Sequence, residues 1–456
     1  MPRIKQAAQE MLNNVILPFW MSLKDETHGG YYSLVDFDLQ VDRQAEKGCI
    51  LNSRILWFFS EADMLTGRAD AAACARHAYQ WFEDHCFDRE NGGVYWSCDA
   101  LGRPLDTTKH TYNQAFAIYA LSAYYRLTEQ QAALDRALEL FRLIESRCTD
   151  AEGYLEAFTV DWKPESNEKL SENGVMADKT MNTLLHVFEG YAGLYQASRA
   201  PAVGQAMRRI LGIYAGKVYS PALHRQLVFF DSHYRSIIDL YSYGHDIESS
   251  WLIDWGCALL GDAALTARIG AIDSDLARSV YQHAYRDHSL LNECERGVDD
   301  TTRVWWVQAE AVLGFVNEYE KSGGEAYAAA AADIWHYITD KLVDKRPGGE
   351  WFWSVDESGQ PPAHRGTVEM PLPQRAYVYG TDQEGPPCRS VSCTPNTCAR
   401  RPCRRPCWPA RTISPTGTTA STTGGTTPSS PASTSPWSGG STLPPPPTPT
   451  LWSGWG

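Results

Sequence analysis

What most restricts the fold of this chain is a repeated alternation. Long helical segments, apolar around most of their circumference, are separated by short turns of the Gly-Gly-aromatic type. Residues 111–127, 180–198, 248–261 and 303–320 carry apolar side chains at three- and four-residue intervals over a wide arc. A helix of that kind is packed on several sides, so a succession of them predicts layered helices rather than an open bundle. The turns are Gly29-Gly30-Tyr31-Tyr32, Gly92-Gly93-Val94-Tyr95-Trp96 and Gly348-Gly349-Glu350-Trp351, with Gly153-Tyr154 as a related form. Glycine supplies positive φ and the β-formers after it suit a short hairpin. Helix pairs joined by such hairpins make an internal repeat, and geometry is a simpler role for the Gly-Gly turns than ligand contact.

The helical pattern holds to about residue 345, and the character changes after about residue 360. Nineteen of the 26 prolines lie beyond that point, and residues 411–456 are mostly Ser, Thr, Gly and Pro. Such a segment buries too little apolar surface to offset the entropy of ordering it, so a disordered tail is expected. The natural division is 1–363 for the folded domain and 364–456 for the tail. Cys388, Cys393, Cys398, Cys403 and Cys407 lack the paired spacing and neighbouring histidines of a metal cluster. The remaining seven cysteines (Cys49, Cys74, Cys86, Cys98, Cys148, Cys257 and Cys294) are scattered along the sequence and read as reduced, mostly buried thiols.

A net charge of −14, with no basic stripe, argues against nucleic acid as a partner. No apolar run is long enough to span a bilayer and the N-terminus has no signal-like core, so a cytoplasmic enzyme without membrane contact is expected. Sixteen tryptophans and 23 tyrosines suit stacking on sugar faces, although core packing explains any single ring as well.

Four groups of residues carry possible chemistry. In Ser242-Tyr243-Gly244-His245-Asp246-Ile247-Glu248, His245 sits at a loop–helix junction. Glu248, three residues on, can share its face and raise the basicity of the imidazole. Asp178, Asn182 and His186 are spaced i, i+4, i+8, which places all three on one side of one helix and predicts a wet cavity. Arg54 enters the apolar stretch Leu-Asn-Ser-Arg54-Ile-Leu-Trp-Phe-Phe, where a guanidinium needs an acid or a ligand oxygen; the two remain open. Trp305 and Trp306 are adjacent on a helix and so point apart, one toward a ligand and one toward the core, while Tyr112 stands at the lip of its own helix. There is no dinucleotide-binding glycine fingerprint, phosphate loop, nucleophile elbow or HExxH metal motif, so neither a metal nor any other cofactor is called for.

These motifs together, with Gly-Gly-Val-Tyr-Trp, Lys-His-Thr-Tyr112-Asn, Ala-Asp-Lys-Thr-Met-Asn182 and Arg-Val-Trp-Trp-Val-Gln-Ala-Glu310, resemble the cellobiose 2-epimerases of the N-acylglucosamine 2-epimerase superfamily. The likeness is collinear from residue 1 to about 360. It implies an all-α fold, an (α/α)6 barrel with short β-hairpins in its connections. It also implies reversible C2 epimerisation of the reducing-end glucose of β-1,4-linked disaccharides such as cellobiose and lactose. By motif, His245 is one of two acid/base histidines with Glu248 beside it. Arg54, Tyr112, Asn182 and His186 hold sugar hydroxyls, and Trp305 or Trp306 stacks on a ring. An N-acylglucosamine 2-epimerase or mannose isomerase of the same superfamily is the nearest alternative. A glycoside hydrolase, which needs two carboxylates, and an inactive sugar-binding chain are further ones.

The second histidine belongs to a C-terminal Trp-Lys-Cys-Pro-Tyr-His-Asn-Gly-Arg motif that the chain lacks. Residues 364–380 read HRGTVEMPLPQRAYVYG. Back-translated and read one nucleotide later, they allow Thr-Val-Gly-Pro-Trp-Lys-Cys-Pro-Tyr-His-Asn-Gly-Arg-Met-Cys-Met-Glu. The cysteine, from Met370 into Pro371, is forced. Everything beyond about 363 therefore reads as a frameshift product, which leaves the domain without its last segment.

Overall fold

In a computed structural model of the chain, which describes residues 2–167, 169, 175–362 and 368–369, the helices pair off as the alternation requires. α1 (Pro2–Met11) passes through a π turn at Leu12–Ile16 into α2 (Leu17–Ser22). Five pairs follow: α3 (Cys49–Thr66) with α4 (Ala69–Trp81), α5 (Thr111–Thr128) with α6 (Gln131–Arg147), α7 (Met181–Ser198) with α8 (Pro201–Ile213), α9 (Tyr243–Leu260) with α10 (Ala263–His283), and α11 (Trp305–Ser322) with α12 (Glu325–Tyr337). The first helix of each pair packs on the first helix of the next, from α3 through to α11, and the second helices lie outside. The architecture is the expected (α/α)6 barrel, with five inner helices among the described residues. All described residues belong to one compact unit. The expectations for the tail, its disorder and its cysteines, lie outside the described residues, of which only the strand Val368–Glu369, paired with Leu34–Val35, falls beyond 363.

The repeat is tighter than the sequence pattern revealed. Each inner helix has 18 residues. Each ends on a residue in the left-handed region that turns the chain back outward: Gly67, Glu129, Arg199, Gly261 and Gly323. Each also begins directly after a short strand that pairs with a strand of the following connection, as Lys47–Gly48 does with Ser97–Cys98 and Lys109–His110 with Ala157–Phe158. Successive repeats are thus stitched together at the end of the barrel where the inner helices start. The spacing of Asp178, Asn182 and His186 does not describe one helix. α7 begins at Met181, because Lys179–Thr180 pair as a strand with Phe229–Phe230 and the Thr180 hydroxyl caps the helix by accepting the Thr183 N–H. Asp178 is an exposed loop residue.

Two recurring contacts fasten the hairpins. The first is an aspartate that folds the Gly-Gly turn around itself. Asp25 accepts the backbone N–H groups of Thr27 and His28, Asp88 those of Glu90 and Asn91, and Asp150 those of Glu152 and Gly153. The remaining oxygen takes an ammonium from the strand that leads into the next inner helix: Lys47 at 2.7 Å, Lys109 at 2.7 Å and Lys179 at 2.6 Å, all three buried lysines. The second contact comes from the fourth residue of the inner helix. Gln114 accepts the Val94 N–H and donates to the Val94 carbonyl at 2.7 and 2.8 Å; Gln308 does the same to Leu290 at 2.7 and 2.8 Å. Asn52 accepts the Tyr31 N–H and Asp246 that of Gln226. In α7 that position is Leu184, and Glu156 substitutes by binding the Thr180 N–H and the Thr183 hydroxyl.

The ion pairs give a stability prediction. Burial pushes the Asp88 carboxyl up, but hydrogen bonds from Lys109, Asn91 and Glu90 outweigh it and hold it at about 2; Asp25 is held low in the same way by Lys47, His28 and Thr27. A carboxyl depressed in the folded state adds stability that is complete above its unfolded value of about 3.9 and lost as the pH falls through the folded value. Resistance of the chain to chemical denaturation should therefore fall progressively below about pH 4. Lys109→Met, which strands a buried carboxylate, should cost about 3–5 kcal/mol at neutral pH. An unchanged midpoint in Lys109→Met would show that the pair does not hold the hairpin.

Candidate functional site

The 18-residue repeat fixes which side chains face the middle of the barrel. In a helix, residues i and i+4 lie on one face. The second and sixth residues of the inner helices are Ile50 and Arg54, Tyr112 and Phe116, Asn182 and His186, Gly244 and Glu248, and Trp306 and Glu310. Tyr112, Asn182 and Trp306 thus hold the second station, at the mouth where the inner helices begin, and Arg54, His186 and Glu248 hold the sixth, one turn further in, although they come from five separate motifs. His245 holds the third station of α9 and Trp305 the first of α11.

Contacts join these residues into two groups, Arg54–Tyr112–Phe116–His186 and His245–Trp306, which the electrostatic interaction of His186 with His245 links into one row. The Arg54 guanidinium donates to the Tyr112 hydroxyl at 2.8 Å and lies 3.8 Å above the centre of the Phe116 ring. His186 stands edge-on to Tyr112, with ring centres 5.1 Å apart, and 4.9 Å from Phe116. Its Nδ1 is 2.9 Å from a carboxylate oxygen of Glu189, itself buried one turn further along α7. The His245 ring is 4.9 Å from that of Trp306, and its Nδ1 is 2.6 Å from the Ser242 hydroxyl. Glu310 accepts the Trp251 indole N–H at 2.9 Å, and Trp57 stacks on Tyr119 one turn deeper. Trp305 is 3% exposed and packs against Trp353, whereas Trp306 is half-buried beside His245. Gly244 makes that approach possible, because a Cβ there would lie 2.4 Å from the Trp306 ring. The Asn182 amide oxygen is buried and has no hydrogen-bond partner among the described residues.

Electrostatically the row is a set of neutral or paired groups ready to meet a polar ligand. Burial, and after it the charge of His186, lowers the His245 imidazole to about 3, so it is uncharged throughout the ordinary pH range. A neutral imidazole whose Nδ1 is engaged offers the other nitrogen as a base or, once protonated, as an acid. Asp246, next to it in sequence, faces the hairpin instead, and burial, against the Gln226 bonds, raises it to about 8. The orienting contact on Nδ1 comes from Ser242, the residue just before α9, which the sequence motif contains but does not mark as functional. Glu189 and Glu310 were likewise missed. For Glu310 the signal was the repeat itself, since it shares the station of Arg54 and Glu248.

A cleft lined by Glu145, Asp150, Glu152, Tyr154, Arg209 and Lys217 lies away from the row, and Arg209 and Lys217 are ion-paired there with Glu145 and Glu152.

The row invites comparison with known proteins. The family model described as N-acylglucosamine 2-epimerase matches residues 29–368. A cellobiose 2-epimerase of Eubacterium cellulosolvens is 47% identical over 372 residues, which cover 78% of this chain and 92% of that one. One of Dictyoglomus turgidum is 42% identical over 355 residues, covering 78% and 91%. Among solved structures, a cellobiose 2-epimerase of Bacillus thermoamylovorans superposes with a TM-score of 0.80 at 41% identity, over 83% of this chain and 98% of that one. A D-mannose isomerase superposes with a TM-score of 0.68 at 18% identity and shares the fold.

The state of His245 is directly measurable. Imidazole nitrogen NMR should show one neutral tautomer from pH 8 down to pH 4, with protonation only near the value of about 3 that burial imposes. Ser242→Ala should mix the tautomers. Titration of His245 near pH 6.5, the ordinary histidine value of about 6.5, would contradict the buried, Ser242-held geometry.

Proposed function

The chain belongs to the N-acylglucosamine 2-epimerase family, and from that premise we propose that it descends from an enzyme epimerising C2 of the reducing-end glucose in β-1,4-linked disaccharides. Cellobiose to glucosyl-mannose is the principal reaction and lactose to epilactose a second. The observation that carries this reading is the identity of 42–47% to cellobiose 2-epimerases over 91–92% of their length, joined to the presence of the Arg54–Tyr112–His186–His245–Trp306 row. The mannose isomerase likeness, at 18% identity, extends to the fold alone.

The chemistry accounts for the residue types. The sugar ring opens to the aldehyde, whose carbonyl makes the C2 proton removable. His245, neutral and held by Ser242, takes that proton and leaves an enediolate-like intermediate. Arg54 and Tyr112 donate hydrogen bonds where negative charge grows on oxygen. Rotation about C2–C3 turns the other face toward a second acid, which returns a proton and inverts the centre. Asn182, His186 and Glu248 hold hydroxyls, and Trp306, half-buried at the mouth, stacks on the sugar. Proton removal and return at this carbon require no cofactor, and the disaccharide is the only partner the reaction needs. A cytoplasmic setting suits this reading. No helix among the described residues is long and apolar enough to cross a membrane.

The second acid is the histidine of the Trp-Lys-Cys-Pro-Tyr-His motif that the shifted frame of residues 364–380 encodes. We assign residues from about 364 onward to a frameshift. The chain as written then keeps its sugar-binding row and lacks half of its proton machinery.

Restoring the frame after about codon 363 should give an enzyme that converts cellobiose and incorporates solvent deuterium at C2. The chain as written should do neither at more than about a thousandth of that rate, the middle of the roughly 10²–10⁴-fold that a positioned acid or base contributes. In the restored enzyme His245→Ala should abolish exchange. Release of monosaccharide, or full turnover by His245→Ala, would overturn the proposal. An unbroken reading frame in the gene around codons 355–365 would overturn the frameshift.

A further inference from the structure

Outside the row, three cysteines far apart in sequence meet in the interior. Cys49 is the first residue of α3, Cys86 the last of the π turn Phe82–Cys86 that follows α4, and Cys98 lies on the strand Ser97–Cys98. All three are 0% exposed, and their sulfurs lie within 4.8 Å of one another. The fold, not the spacing, assembles them: Cys98 pairs across the strand with Lys47, two residues before Cys49, and its thiol also contacts the His85 carbonyl at 3.5 Å.

We propose that Cys49, Cys86 and Cys98 form a closed trithiolate site for one thiophilic d10 metal ion, with Cu(I) the better fit. This goes beyond the epimerase reading and does not depend on it. A metal–sulfur bond of about 2.3 Å sets sulfurs about 4 Å apart around a trigonal ion, so the observed cluster needs only small side-chain adjustment. Thiolates select Cu(I) and Zn(II) among the biological metals. Structural Zn(II) almost always takes four ligands, and among the described residues no fourth His, Cys, Asp or Glu completes this group. The helix N-terminus at Cys49 favours negative charge on sulfur. The sulfurs are already unlike one another, since burial raises Cys49 and Cys86 while hydrogen bonds from those two thiols hold Cys98 low.

The ion would tie together three segments: the start of α3, the end of the α4 turn and the strand between them. Because α3 carries Arg54, the site would anchor the helix that contributes one end of the row. Its role is structural, since the ion would have no open position, and its binding energy would add to folding energy.

The test uses the full chain with Cys388, Cys393, Cys398, Cys403 and Cys407 changed to serine, so that the tail thiols cannot bind metal. Reduced anaerobic protein is refolded with Cu(I) supplied as its acetonitrile complex or, in a parallel arm, with Zn(II). Metal content after dialysis, competition with a chromophoric chelator and X-ray absorption are then read. One equivalent held by three sulfurs at about 2.3 Å, with a raised melting temperature, supports the site, and the arm that binds identifies the ion. Cys49→Ser, Cys86→Ser and Cys98→Ser should each weaken retention by more than the roughly 10–100-fold that losing an outer-shell partner costs, while Cys294→Ser leaves it unchanged. Should a serine variant fail to fold, the sulfur count in the parent protein still decides. No stoichiometric metal, fewer than three sulfurs around it, binding indifferent to the three cysteines, or a disulfide between any two of them in the protein as isolated would overturn the proposal.

Discussion

The barrel depends on one buried contact used three times: a lysine on the strand before an inner helix, held by the aspartate that folds the preceding Gly-Gly turn. A buried ion pair of this kind is a poor source of net stability, because desolvation offsets most of its attraction. Its value lies in geometry. The aspartate has one oxygen committed to the turn's backbone and one free, so the ammonium can sit in one place only. Lys47, Lys109 and Lys179 therefore set where α3, α5 and α7 begin, and with that their phase about the barrel axis. The amides at the fourth station, Asn52, Gln114 and Gln308, fix the same relation from the helix side. An apolar surface alone specifies the rotation of an inner helix about its axis only loosely, and these polar contacts fix it.

Phase matters because function is read out at particular stations. With the five helices in a common register, the second and sixth residues of each lie at the same end of the barrel, and the sequence can change them without disturbing the frame. The frame residues are the ones that recur, a Lys or Arg before every inner helix but α9 and an amide or acid at the fourth station of every inner helix but α7. The residues that differ from helix to helix are Arg54, Tyr112, Phe116, His186, Glu248, Trp306 and Glu310. Asymmetric recognition of a sugar requires a ring of unlike groups, and a pseudo-repeated barrel supplies it by holding the scaffold constant and varying the stations. Gly244 fits this logic: the absent side chain is what admits Trp306 to the face of His245.

Much of this was legible in the sequence and some was not, for identifiable reasons. The wide apolar arcs of the inner helices and the Gly-Gly turns were visible because they are local patterns. Arg54, Tyr112, Asn182, His186, His245, Glu248, Trp305 and Trp306 were singled out as candidates through polar or aromatic residues in motifs, and of these Trp305 packs into the core against Trp353. Asp178 was misplaced because an i, i+4 spacing is blind to a strand interposed before the helix; the pairing of Lys179–Thr180 with Phe229–Phe230 is non-local. Ser242, Glu189 and Glu310 escaped because a serine before a helix or an acid within one is ordinary until its partner is known. The meeting of Cys49, Cys86 and Cys98 could not be read from intervals of 37 and 12 residues, since it is made by helix packing and a strand pair.

The division between frame and stations also explains how the proposed loss of the C-terminal segment would leave the row from Arg54 to Trp306 in place. The contacts that place Arg54, Tyr112, His186 and His245 are made between neighbouring repeats, from hairpin to next helix, and each closes within residues 23–309. None of them passes through a residue beyond 363. Proton transfer is different in kind, because inversion at a carbon needs groups on both of its faces, and one helix cannot offer both from a single station. In the proposed reaction His245 serves one face, and the partner must come from across the mouth, from the part of the barrel that follows α11. Recognition is thus distributed and tolerant of truncation, whereas inversion is a two-sided act that a single lost side chain stops.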